Sequence, residues 1–362
     1  MFYHLLYPLR EFFFGFNVFR YITFRAAGAS ITAFLLCLWV GPPIFRSIRR
    51  LGISENGVRE HAPALDEIRR QKRGTPTMGG LAILASILLS TLLWADPASP
   101  FILLILAVTV WLGLIGLADD YLKFVRHSSR GLAASTKFFG QIIGGLGLAL
   151  FLYFSYGWSR TLTFPFLKEV NLDLGMLYLP FVILVIVASS NAVNITDGMD
   201  GLAIGCVILV AITYGIFSYL TGHAKFSEYL QIFYAPGSGE LAVFCGALVG
   251  AGLGFLWYNC HPAEVFMGDT GSLALGGAIG TIAVLIKKEL LLLIAGGVFV
   301  MEAGSVVLQV LSFKTRGQRL FFMSPLHHHF GLKGWHEAKV MIRFLIIGTL
   351  LAFVSLSTLK LR

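Results

Sequence analysis

From Phe101 to Asp120 the chain reads FILLILAVTVWLGLIGLADD, eighteen uncharged residues followed by two carboxylates. A helix of about 20 residues, rising about 1.5 Å each, crosses the ~30 Å hydrocarbon core of a bilayer. The run is long enough to span, and it lacks the alternation of polar and apolar residues that marks a barrel strand. The whole chain has the same character. Of its 362 residues 56% are hydrophobic and only 13% charged, with 31 Phe and 40 Gly, whereas soluble domains carry about 25% charge. That composition excludes a soluble enzyme, a disordered chain and a coiled coil. What remains is an all-α polytopic membrane protein forming one domain over residues 1–362.

Ten apolar stretches approach spanning length, at about Tyr21–Phe45, Met78–Trp94, Phe101–Ala118, Phe138–Trp158, Met176–Val193, Gly201–Leu220, Glu240–Tyr258, Gly271–Ile286, Glu289–Leu311 and Val340–Leu359. The second and eighth are short. Loop charge orients them. With the N-terminus outside, the odd-numbered loops hold seventeen Lys and Arg: Arg46 to Arg73, Lys123 to Lys137 and Lys314 to Lys339. The even-numbered loops hold five: Arg160, Lys168, Lys225, Lys287 and Lys288. The positive-inside rule then places the odd loops in the cytoplasm and both termini on the periplasmic side. Met1 to Tyr21, aromatic with scattered charge, reads as an interfacial segment and not as a removed signal peptide. Cys37, Cys206 and Cys245 lie within apolar runs and read as small buried hydrophobes.

The polar residues out of keeping with a membrane protein fall in five patches, each in or beside a cytoplasmic loop. They are Lys72 to Gly80 (including Thr77), Asp119-Asp120, Asn191 to Asp200, Asn259 to Ser272, and His327-His328-His329. Asp119 and Asp120 end the third apolar run. Carboxylates at a helix C-terminus meet the negative end of the dipole, so the pair asks for a cation unless it is simply a solvated helix end. Oxygen ligands without soft neighbours suit Mg²⁺ or Mn²⁺. Asn191, Asn194 and Asp197 recur every third residue, with Asp200 next, and share a helix face if the fifth helix continues. Simple capping is the alternative. Asp269 before Thr270, Gly271 and Ser272 resembles an N-cap, a helix start able to hold phosphate. Phe266 suits stacking on a base or anchoring at the interface. Three adjacent histidines cannot all reach one metal from a regular helix, so phosphate binding or proton handling suits them better. Together these groups match the needs of phosphoryl transfer at the inner face: a hard cation, positive charge for a polyphosphate, and a carboxylate to activate the acceptor.

The Lys72-Arg73-Gly74-Thr75-Pro76-Thr77-Met78-Gly79-Gly80 run, Asp119-Asp120-Tyr121, Asn191 to Gly201, Pro262 to Ser272, and Ser324-Pro325-Leu326 before the triple His resemble the bacterial MraY family. That resemblance implies ten helices, a homodimer in the bacterial inner membrane and Mg²⁺ dependence (Mn²⁺ substituting). It implies transfer of phospho-MurNAc-pentapeptide from UDP-MurNAc-pentapeptide to undecaprenyl phosphate, giving lipid I and UMP, with no nucleic-acid partner. By the same resemblance Asp269 is the main metal ligand, Asp119 the base and Asp120 its assistant, all three near the metal. A covalent phospho-enzyme on an Asp stays open. Lys72, Thr77, Asn191, Asn194, Asp197, Asp200, Asn259 and Phe266 would shape the nucleotide pocket. Lys123 and Lys137 match basic positions of the family, and His327, His328 and His329 would touch the phosphate-bearing part of the substrate.

One departure is Phe330-Gly331, where the family often has Phe-Glu. Polyprenyl-phosphate N-acetylhexosamine-1-phosphate transferases share the aspartates but space their histidines differently. A transporter would carry charge at mid-bilayer, and here only Arg25, Glu302 and Arg343 interrupt the apolar runs.

Overall fold

The computed structural model describes residues 1–52, 74–125, 131–155 and 158–360. Among them are nine helices long and apolar enough to cross a membrane, plus a shorter apolar one. In chain order they are α1 (Ile22–Arg50), α2 (Gly80–Trp94, the short one), α3 (Pro100–Val125), α4 (Ala134–Phe154), α5 (Tyr178–Thr196), α6 (Leu202–Thr221), α7 (Glu240–Asn259), α8 (Gly268–Leu285) and α9 (Gly297–Arg316). A seven-residue helix, α10 (Leu326–Leu332), carries the histidines, and α11 (Glu337–Ser357) is the last span. Nine of the ten expected spans are helices of spanning length, the second being the shorter α2, and the chain is an all-α polytopic membrane protein.

Three expectations need correction. The third helix does not end at Asp119-Asp120 but runs on to Val125. The ninth span begins at Gly297, after a separate turn of helix at Leu292–Ala295. The loop before α5, read only as a connection, is a hairpin: β1 (Thr161–Phe164) pairs antiparallel with β2 (Leu167–Asp173), Thr161 opposite Asp173. Its alternating Thr161-Leu162-Thr163-Phe164 puts Leu162 inward, buried, the period-two pattern of a half-buried strand. Thr163 Oγ1 ties it down by donating to the Lys287 carbonyl at 2.8 Å.

Helix α8 is the axis of the bundle. Every residue from Thr270 to Leu285 is buried, and it packs on α3 and α5. A helix apolar all round belongs at the centre, where other helices and not lipid are its solvent. The stripe Gly246, Gly250 and Gly254 of α7, spaced by four, lies against α1, the small-residue packing that lets membrane helices close up. A β-carbon on Gly250 would stand 1.9 Å from the Ser30 carbonyl oxygen. Gly250→Ala is therefore expected to force α1 and α7 apart at about 1–3 kcal/mol. Thermal unfolding of the purified protein checks this, and an unchanged midpoint would refute it. At the end of the bundle where α1 and α7 begin, Arg25 and Glu240 form a bidentate pair at 2.8 and 2.6 Å, which removes one of the charges that interrupted the apolar runs.

Cys37, Cys206 and Cys245 are buried and free, as their apolar surroundings implied.

Candidate active site

At the opposite end, α3, α4, α5 and α8 bring their polar termini together. Asp119 and Asp120 come from α3, Lys137 from the first turn of α4, Asn194 from the last turn of α5, and Asp269 from the start of α8. Close contact is possible only because α3 carries Gly116 beside that turn: a β-carbon there would lie 2.2 Å from the Asp269 carbonyl oxygen. The chain around Gly79 is clamped to the same turn, Gly79 and Gly80 donating to the carbonyls of Phe266 and Met267 at 2.8 Å.

The three carboxylates offer oxygens all within 4.8 Å of one another. Asp119 and Asp120 are only 3% and 4% exposed. So much buried like charge stands only with compensation. Lys123, one turn along α3, supplies part of it, its Nζ 2.6 Å from Asp119 Oδ2 and 3.0 Å from Asp269 Oδ2. Lys137 Nζ approaches the same Asp269 oxygen at 2.5 Å and Asp119 Oδ2 at 3.9 Å. Asn194 Nδ2 donates to Asp269 Oδ1 at 2.9 Å.

The aspartates are used differently. Asp120 grips the start of α8, accepting from the Thr270 N–H at 2.9 Å, the Thr270 hydroxyl at 2.7 Å and the Asp269 N–H at 3.2 Å. A carboxylate at a helix N-terminus satisfies free N–H groups and meets the positive end of the dipole. Asp119 is held by one oxygen, Oδ1 accepting from the Leu132 N–H at 2.7 Å, while Oδ2 faces the lysines. Asp269 is not the N-cap. Met267 holds that position and Asp269 sits inside the first turn, which turns its side chain back onto α3.

Three carboxylates against two ammonium groups leave a deficit of one positive charge. All the donors are hard oxygens with no thiolate near, so the cluster could hold a metal ion of the hard divalent kind. Asp119, Asp120 and Asp269 are the residues that would hold it.

Other expected site residues fall in two groups. Near the cluster lies Thr77, whose hydroxyl sits close to Gly268. His327 lies against the turn after α5, its Nε2 beside Gly198. His328 packs edge-on to His327 at 4.2 Å, and His329 stacks with Phe322 at 5.2 Å. His329 Nδ1 also accepts the Phe322 N–H at 3.2 Å, and partial burial, helped by nearby Lys333, holds its ring below the ordinary histidine range. Asp197 follows α5 directly as its C-cap, and Phe266 is half-buried in the loop before α8.

The second group is turned away from the carboxylates. Asn191 bonds Gln141 of α4 and the Val187 carbonyl, at 2.7 and 2.8 Å, so it does not share its neighbours with Asn194. Asp200 accepts from the Ala263 N–H at 3.2 Å and pairs with His261 Nδ1 at 3.0 Å, while its own N–H donates to Glu337 at 3.0 Å. Asn259 accepts from the Gly201 N–H and donates to the Val265 carbonyl, at 3.0 and 2.8 Å. These residues brace the loops that surround the site. Lys72 lies outside the described residues. Gly331 has room for a side chain, an added β-carbon meeting only the tip of Met199 at 3.7 Å.

Thr270 and Ser272 escaped the sequence reading as individual site residues, because small hydroxyl residues in a helix's first turn look like ordinary capping. Thr270 turns out to be the handle by which Asp120 holds α8, and Ser272 Oγ accepts from Asn194 at 2.8 Å.

A bundle of membrane helices with carboxylates and lysines gathered at one end defines a membrane-embedded transferase, and the chain matches Glycosyl transferase family 4 over residues 102–287. Residues 72–84 match the phospho-N-acetylmuramoyl-pentapeptide-transferase signature 1. Proteins of that name from Citrifermentans bemidjiense, a Geobacter species and Desulfotalea psychrophila are 55%, 55% and 54% identical to it, each over the full length of both chains. The chain belongs to the phospho-N-acetylmuramoyl-pentapeptide-transferase family, enzymes of the first membrane step of peptidoglycan synthesis.

Proposed function

We propose that this protein transfers phospho-MurNAc-pentapeptide from UDP-MurNAc-pentapeptide to undecaprenyl phosphate, yielding lipid I and UMP. It acts as a homodimer in the bacterial inner membrane, with both termini periplasmic and the site on the cytoplasmic face. The observation that carries the reading is the Asp119–Asp120–Asp269 cluster with Lys123 and Lys137 at one end of the bundle. A phosphate oxygen of the lipid attacks the sugar-linked β-phosphorus. A new P–O bond forms, the bond from that phosphorus to the bridging oxygen breaks, and UMP leaves with the bridging oxygen.

Mg²⁺, with Mn²⁺ as substitute, is the cation that suits the donors, and when bound it would neutralise developing charge on the diphosphate. Asp119 takes the proton of the lipid phosphate. Lys123 and Lys137 place positive charge at the open edge of the cluster, where diphosphate oxygens arrive. Asp120 keeps α8 registered on α3, so that Asp269 faces the lysines. Lys72, Thr77, Asn194, Asp197 and Phe266 shape the nucleotide side, His327, His328 and His329 the phosphate side, and Asn191, Asp200 and Asn259 hold the surrounding loops.

UMP release from purified protein with undecaprenyl phosphate and Mg²⁺ tests this. Release from UDP-MurNAc-pentapeptide and not from UDP-GlcNAc, abolished by a chelator, is expected. Release from UDP-GlcNAc alone would keep the chemistry and overturn the sugar specificity. Release from neither, in folded protein, would overturn the reading.

A further inference from the structure

Glu302 is a charged residue within an apolar helix, and the reaction just described does not use it. Ionisable groups inside membrane helices are costly and are kept for a partner or a function. Glu302 of α9 is fully buried. Its carboxylate meets His327, the first residue of the triple His: Oε1 accepts the His327 backbone N–H at 3.2 Å, and Oε2 lies 3.0 Å from Nδ1. Glu302 accepts in the backbone contact, and because a carboxylate offers a ring nitrogen only lone pairs, the pairing calls for a hydrogen on Nδ1. A carboxylate on one ring nitrogen sets both the tautomer and the orientation of a histidine.

The other nitrogen of that ring has no partner among the described residues. His327 is fully buried and its Nε2 makes no hydrogen bond, a costly arrangement for a polar atom. Nε2 lies against Gly198, where an added β-carbon would come within 2.4 Å of it. Gly198 is exposed, in the turn that ends α5, four residues after the Asn194 that holds Asp269. The glycine lets this exposed turn pack directly on the ring, so that only its backbone covers the buried nitrogen.

We infer that Glu302 is a positioning residue for His327. It fixes Nδ1–H and turns Nε2 toward the Gly198 turn, where an oxygen of the phosphate-bearing substrate completes the hydrogen bonding of the ring when the turn shifts to admit it. This rests on the transferase reading and adds to it a residue and a contact.

Two substitutions of Glu302 separate positioning from bulk. Glu302→Gln keeps one oxygen, which at the Oε2 position accepts Nδ1–H at 3.0 Å and lies 3.5 Å from the His327 N–H, at the expense of the second backbone contact, whereas Glu302→Leu keeps none. The Leu variant is expected to lose about a hundredfold in kcat with KM changed less than about threefold, and the Gln variant to stay within about fivefold of the parent. Gly198→Ala, which sets a methyl group against Nε2 and leaves Glu302 unchanged, is expected to lose kcat like the Leu variant. A second readout needs no turnover. With ¹⁵N-labelled histidine, and His327→Asn to assign the resonance, the parent and the Gln variant show a protonated Nδ1 at His327 and the Leu variant does not. Full kcat in the Leu variant, a Gln variant as poor as Leu, or a parent His327 without Nδ1–H would each overturn the inference. If the parent releases no UMP but its His327 carries Nδ1–H, the transferase reading fails and the pairing stands. Should the Leu variant fail to fold, the Gln and Gly198→Ala variants decide.

Discussion

Asp269→Asn is expected to abolish nearly all turnover, by at least about a thousandfold, or about 4 kcal/mol of transition-state stabilisation. Asp269 ties together groups from three other helices of the cluster. Oδ2 receives both Lys123 and Lys137, at 3.0 and 2.5 Å, and Oδ1 receives Asn194 at 2.9 Å. An asparagine must turn its NH₂ either toward two ammonium groups or toward another amide NH₂, so one side of the site faces donor against donor. The cluster also loses the charge that made it short of one positive group, and with it the attraction for a hard cation. Two measurements check this. Metal-dependent UMP release should be lost, and Mn²⁺ binding, followed by its magnetic resonance signal, should weaken in protein of unchanged melting temperature. Near-parental turnover at saturating Mg²⁺ would sink the assignment.

The spans were readable because hydrocarbon imposes a length, and the site was readable as a side of the membrane because its residues recur in alternate loops. What hydropathy could not supply was the end of α3. The apolar count stops at Ala118, yet the helix continues through Tyr121-Leu122-Lys123, because Lys123 and the start of α8 neutralise the two aspartates. The hairpin Thr161–Asp173 was missed for a related reason. Its alternation lies in a polar connection, and the anchoring of Thr163 on the Lys287 carbonyl is a tertiary fact. Glu302 was noticed as an out-of-place charge, but its partner His327 is 25 positions away and no local pattern joins them. Asn191 and Asn194, equivalent by spacing, part company because α5 meets α4 on one side and α8 on the other. Asp119 and Asp120 are neighbours in sequence that point to different tasks, and contacts outside their helix distinguish them, Leu132 for the first and Thr270, 150 residues distant, for the second.

That distinction carries the second large effect. Asp119→Asn is expected to lower kcat by about 10²–10⁴ while KM for both substrates stays within about threefold, the loss of a group that moves a proton in the transition state. The geometry singles out this carboxylate. Leu132 N–H pins Oδ1, which leaves Oδ2 directed at Lys123 and Lys137, where the phosphates are proposed to sit. Asp120, by contrast, spends its oxygens on Thr270 and the Asp269 N–H, and Asp120→Asn, which can still accept from Thr270, should lose less turnover and more thermal stability. The two readings of Asp119 part on metal concentration. If Asp119 mainly ligates, raising Mg²⁺ restores much of the rate to the Asn variant; if it takes the proton, no concentration does. A rise in KM alone, or recovery with Mg²⁺, would remove Asp119 as the base and leave proton removal to another group of the cluster.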